Sequence, residues 1–201
     1  MTDDLHTFLR SRRSIRHFLA EPVPVDVLQR ILTTATYAPS AHNKQPWRFI
    51  VLINSESRSR LIAAITDKFR RDMTADGAPE AEIQWRIERT TRRTSEAPVI
   101  IVLCHDVAQV NSQRDTASQQ AELTMGIQSV ALAGLQILLA AEVEDLGGTW
   151  ICWPLFAPEE TRHALDLPPS FEPQGMIFLG HPAEVPDTPE RKPLSNIVLY
   201  K

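Results

Sequence analysis

The sequence predicts one domain of mixed helix and strand, α+β or α/β, built on a central sheet. Three observations carry this. Short apolar, β-branched runs, WRFIVLI (47–53), PVIIVLC (98–104) and QGMIFLG (174–180), alternate with segments of helical period. The stretch 123–141 is apolar nearly all round, which suits a helix buried on every side. A length of 201 residues, 43% hydrophobic and 23% charged, fills one core and leaves no linker for a second, so 1–201 is read as a single domain.

Residues 3–10 read as an opening helix with Leu5, Phe8 and Leu9 on one face, and SRRSIRHF then breaks the period. A second helix starts at Pro24, where Val27, Leu28, Ile31, Leu32 and Ala35 recur at helical spacing, and it stops before Ala38-Pro39-Ser40. The polar turn SAHNKQP feeds the strand 47–53. Residues 56–96 hold nine basic and eight acidic side chains over Leu61, Ile65, Phe69, Ile83 and Ile87; they read as two amphipathic helices broken near Asp76-Gly77-Ala78-Pro79, their charges a solvated face. After the strand 98–104, a long helix runs from Asp115 to about Glu144. A membrane span of that length is weighed and set aside, because the segment carries two Gln and no basic anchor. In so small a chain this helix calls for a partner subunit to cover it. TWICW (149–153) is a further strand, a helix begins near Pro158, and 174–180 is the last core strand. Four prolines between 182 and 193, before an apolar, strand-like finish, suit an extended arm laid over a neighbour.

Composition also excludes functions. The net charge of −4 denies the surface a general footprint for nucleic acid or anionic membrane. None of the seven glycines falls into GxGxxG or GxxxxGK, GxSxG is missing, and the six histidines and two cysteines show no zinc spacing, so no metal is expected. Cys104 and Cys152 are too few for a disulfide scaffold, and MTDDLHTFLR has no apolar h-region; a reducing, cytoplasmic setting without a signal peptide is expected. A phosphorylated ligand would have to be held by side chains.

Two segments offer those side chains. RSRRSIR (10–16) concentrates four arginines around Ser14. Guanidinium forks match phosphate oxygens bidentately, although the same cluster also reads as a solvated or ion-paired face. APSAHNKQPW (38–47) fixes Ser40, Asn43 and Gln45 between two prolines, where they reach ring carbonyls or simply form a polar turn. Ser40 and His42 lie too close in sequence for a nucleophile–base pair.

Taken together, RRSIRHF and APSAHNKQPWRFIVL, with EDLGGTWICW, LGHP and PERKP downstream, resemble the FMN-dependent nitroreductase family over about residues 9–193. Residues 60–181 look particularly like the flavin-binding C-terminal domain of the bifunctional glutamyl ligase of deazaflavin-coenzyme synthesis. The resemblance implies an α+β fold, a central mixed antiparallel sheet flanked by helices with a long buried dimer helix. It implies FMN at the interface of a homodimer, and ping-pong hydride transfer from NAD(P)H through flavin N5 to a small nitroaromatic, quinone or conjugated alkene. No side chain is then needed as a catalytic acid, because the cofactor carries the chemistry. Arg12, Arg13, Ser14 and Arg16 would hold the FMN phosphate, ribityl chain and pyrimidine edge, and Arg191 would close over the phosphate. Pro39, Ser40, Ala41 and Asn43 would reach the flavin of the other subunit. Lys68 and Arg71 fall where the family places flavin or substrate contacts. Ile151, Cys152 and Trp153 occupy the stretch whose backbone amide faces N5, but Trp153 stands where glycine is common and Pro154 has no N–H to give. Trp153 is either core or an aromatic wall of the substrate pocket. A reductase of a deazaflavin-coenzyme precursor and a non-catalytic flavin-binding module are the alternatives.

Overall fold

The computed structural model describes residues 2–201. Helix α1 (Thr2–Ser11) and α2 (Val25–Ala35) precede strand β1 (Trp47–Leu52), and the charged segment forms α3 (Ser55–Ala75) and α4 (Glu80–Glu96). The chain continues through β2 (Val99–Asp106), the long α5 (Thr116–Val143), β3 (Gly147–Ile151), α6 (Trp153–Phe156), α7 (Pro158–Ala164) and β4 (Phe171–Gly180). The four strands are hydrogen-bonded in the order β1-β2-β4-β3, and every pair is antiparallel. The parallel component is a single bridge, Ser14 to Gly148, which ties the arginine segment to the outer strand.

Strand β2 is buried along its whole length, because both faces of the sheet are covered. Period-two alternation divides its side chains. Val99, Ile101 and Leu103 pack with α2 and α5, through residues such as Ile31 and Ile137. Ile100, Val102 and Cys104 pack with Leu61 and Ile65 of α3 and with Phe178. Burial pushes the Cys104 thiol up to about 12, so this cysteine is a small core residue and no nucleophile.

Local chemistry sets the helix boundaries. Asn54 Oδ1 accepts from Ser57 N at 2.8 Å to start α3, and Asp115 Oδ1 accepts from Ser118 N at 2.9 Å to start α5. Gly77, with φ +75°, turns the chain between α3 and α4, and Pro79 opens the next helix. The expected strand through 153 stops at Ile151 instead. Trp153 begins the one-turn α6, since Pro154 cannot donate to a ladder but is at home in a first helical turn. The C-terminal finish is not a strand either: a 3-10 turn at Leu194–Asn196 is followed by irregular backbone, with Leu194, Ile197 and Leu199 exposed.

Helix α5 is the one described helix long and apolar enough to cross a membrane, but one of its faces is bound into this core. The other is open in a single chain, with Ile127 40%, Leu132 43% and Leu135 47% exposed.

Candidate functional site

The arginine segment is held in place by backbone. Ile15 N donates to Gly148 O at 3.0 Å, Leu19 N to His181 O at 2.9 Å, and Ala183 N to His17 O at 3.0 Å. Gly147 permits this close approach, since a Cβ there would lie 2.3 Å from Ile15 Cγ1. Alternation along the segment then turns Ile15 into the core and Ser14 and Arg16 outward.

Two concave regions share these residues, and a third lies beside Ile151 at the end of β3. Arg12, Ser14 and Arg16, together with Arg13, line a cleft of 260 Å³ against the C-terminal arm at Pro186, Asp187, Pro189 and Arg191. The same three residues line a second cleft, of 320 Å³, against Leu135 of α5 and Thr149 and Trp150 of β3. Beyond β3 lies a cavity of 510 Å³ whose walls include Phe69, Arg89, Arg93, Ile151 and Trp153.

The arginines have distinct tasks. Arg13 is occupied by the fold: its guanidinium donates to the carbonyls of Arg10 and Ser11, both at 2.7 Å, and to Thr188 Oγ1 of the arm. It caps α1 and ties down the arm that carries Arg191. Arg12 has no hydrogen-bond or ion-pair partner among the described residues, and Arg16 reaches only the Ser14 carbonyl, at 3.2 Å. Arg93 completes the set. Its Nε is buried without a partner, and burial, followed by repulsion from Arg89, Arg16 and Arg92, pulls its pKa below the ordinary guanidinium value. A cationic group desolvated beside like charges is a poor core residue and a good receptor for an anionic or carbonyl-rich ligand. These residues therefore fit a planar cofactor that ends in a phosphate.

Lys68 and Arg71 do not line the cavity. Lys68 Nζ is held by Asp72 at 2.6 Å and Arg71 by Glu160 at 2.7 Å, so both are ion-paired on the flanks of α3. Arg93 stands where their role was expected. Its signal was present in the sequence: within the charges read as a solvated face, Arg86, Arg89 and Arg93 recur at i, i+3 and i+7, the spacing of one helix face.

Trp153 is both packed and exposed to the cavity. Its ring meets Phe69 edge-on at 6.2 Å and Phe178 at 6.0 Å, while part of it forms the wall. The backbone N–H groups of Cys152 and Trp153 have no acceptor among the described residues, as expected at the start of α6. With Pro154 excluded, these are the two donors that this stretch offers to a ligand.

The loop carrying Pro39, Ser40, Ala41 and Asn43 lies elsewhere. Ala41 N donates to Ser129 Oγ at 3.3 Å, and Gln45 N donates to Ser40 Oγ at 3.0 Å. His42, Asn43 and Gln45 have φ of 53°, 54° and 49°, left-handed conformations that cost about 1–3 kcal/mol each in non-glycine residues and gather at functional loops. Ser129 is on one side of α5, whereas Leu135 and Leu138, against the arginines, are on the other. Within one chain, α5 separates the two motifs.

The sequence model of the nitroreductase family matches residues 9–181. The chain is 30% identical over 223 residues to an NADH dehydrogenase of Thermus thermophilus, covering 98% of this chain and 96% of that protein. It is 30% identical over 199 residues to an iodotyrosine dehalogenase 1 homologue of Caenorhabditis elegans, covering 94% of this chain but 58% of the relative. Among solved structures, a Desulfovibrio desulfuricans protein designated a nitroreductase and solved in complex with FMN superposes with a TM-score of 0.76 at 25% identity, covering 98% of this chain and 96% of its own. A BluB-like flavoprotein of Clostridium difficile shares the fold, with a TM-score of 0.78 at 19% identity, over 98% of each chain.

Proposed function

The chain belongs to the nitroreductase family of oxidoreductases, and we propose that it is a homodimeric FMN enzyme using NAD(P)H to reduce a small nitroaromatic, quinone or conjugated alkene. The observation that carries this reading is the cation set Arg12, Arg16 and Arg93, none of them ion-paired among the described residues, lining neighbouring concavities of which the last has an aromatic wall.

In this reading Arg12, Ser14 and Arg16 hold the FMN phosphate and ribityl chain, with Arg191 closing from the arm. Each charge-assisted bond contributes roughly 1.5–3 kcal/mol. Arg93 would serve the pyrimidine side of the bound ring, where its fixed charge would favour an electron-rich ring without reorganisation. The amide of Cys152 or Trp153 would be the donor to the ring nitrogen N5 and would orient the cofactor. Bound FMN supplies reversible two-electron, hydride-level redox chemistry, so no side chain has to act as a catalytic acid. The cavity beside Trp153 admits donor and acceptor in turn, and the kinetics are ping-pong.

The second subunit completes the site. The open face of α5 at Ile127, Leu132 and Leu135 is the surface of contact, and the apolar residues of the arm lie on the neighbour. Pro39, Ser40, Ala41 and Asn43 of one subunit then approach the cofactor held by the arginines of the other. Covered in this way, α5 is the core of a dimer and not a membrane span.

Visible spectroscopy tests the reading. The purified protein, loaded with FMN, is expected to bind one flavin per subunit, to bleach on adding NADH or NADPH, and to recover colour when a quinone is added. Binding without bleaching would reduce the protein to a flavin carrier; no binding would overturn the assignment.

A further inference from the structure

Helix α4 presents Arg86, Arg89 and Arg93 along one face into the 510 Å³ cavity. With a rise of 1.5 Å per residue, Arg89 lies about 6 Å and Arg86 about 10 Å along the axis from Arg93. If Arg93 serves the cofactor, the other two remain beyond its edge. Neither Arg86 nor Arg89 has an ion-pair or hydrogen-bond partner among the described residues. Arg89 is steadied instead by the face of Trp85, 5.1 Å from the ring centre.

The opposing wall does not neutralise them. Of its two acids, Asp72 is held by Lys68 and Asp76 ends α3, so cationic charge remains in excess. Repulsion along a helix face normally weakens the helix, and here α4 is held to α3: Arg70 of α3 binds Glu80 at 2.7 Å and Gln84 at 3.1 Å. The rest of the lining is three aromatic rings, Phe69, Trp153 and Phe156, with Met73, Ile151 and Thr90.

We infer that this cavity selects a planar aromatic acid, its ring against Phe69 and Trp153 and its carboxylate in the forks of Arg86 and Arg89. This rests on the flavin reading, and names the class of acceptor that the flavin site serves. The short span from Arg93 to Arg86 fits a single ring carrying a carboxylate directly or through a short chain. Neutral quinones and nitroaromatics enter the same cavity but leave both forks unsatisfied.

The experiment uses the FMN-loaded protein with benzoate and benzamide, two unreactive probes of nearly equal shape, titrated by calorimetry and by perturbation of flavin absorbance. Benzoate is expected to bind at least tenfold more tightly than benzamide, and the benzoate-to-benzamide ratio is expected to fall about tenfold in Arg86→Gln and in Arg89→Gln. Flavin content reports that each variant is folded. Equal affinities in the wild type, or an unchanged ratio in both variants, would overturn the inference while leaving the flavin enzyme intact. Failure of the protein to bind FMN would overturn both.

Discussion

Gly126 of α5 lies against the ring of His105 in β2 so closely that a Cβ there would stand 2.1 Å from Nε2. Both ring nitrogens are buried without partners among the described residues, and the strand that carries the ring is paired on both sides. Gly126→Ala is therefore expected to destabilise the fold by about 1–3 kcal/mol. In the double variant with His105→Ala the two losses should not add. Denaturant unfolding of the single and double variants gives the coupling.

The same histidine makes stability depend on pH. Burial, only partly offset by the charges of Glu172 and Asp106, holds its pKa below the ordinary 6.5. The folded state keeps the neutral ring while the unfolded chain takes up a proton, so stability is fully present above about pH 6.5 and declines as the pH falls toward the folded-state pKa. His105→Gln should flatten the stability curve across that window. An unchanged slope would assign the loss to other groups.

Arg93 should separate cofactor binding from stability. Arg12→Ala and Arg16→Ala are expected to weaken FMN by about 1.5–3 kcal/mol each with little effect on the flavin-free fold. Arg93→Met should also weaken FMN, yet leave the flavin-free protein at least as stable, because it removes a partly buried cation whose Nε has no partner. Flavin titration and thermal unfolding of the same preparations read both quantities.

Trp153→Gly removes one wall of the cavity together with two aromatic contacts. A stability loss of about 3–5 kcal/mol is expected from the packing, with FMN still bound through the arginines. The ratio of kcat/KM for a bulky nitroaromatic to that for a small quinone should rise. If it does not move, Trp153 acts only as packing.

Leu132→Glu places a charge on the open face of α5, at a position that lines none of the clefts around the arginines. Sedimentation should show monomer, and FMN affinity should fall along with association, since α5 keeps the Ser40 loop from the arginines of its own chain. A folded monomer that binds FMN as tightly as the wild type would remove the interface from the site.

The sequence by itself determined the order of elements, because periodicity, caps and turn residues are local. Pro24, the Asp76–Pro79 break and Asp115 mark helix ends that the structure keeps. It also marked RRSIR as the arginine cluster, since charge concentration is visible without a fold. The tertiary structure decided which arginines are free. Arg13 is consumed by the carbonyls at the end of α1 and by Thr188, 175 residues away, a partner that no local pattern names. Lys68 and Arg71 were equally eligible by sequence, but ion pairs on α3 hold them, and Arg93 takes the cavity because packing of α4 leaves its Nε dry and unpartnered. Charge is a property of a residue; desolvation belongs to its surroundings, and only the folded chain supplies those.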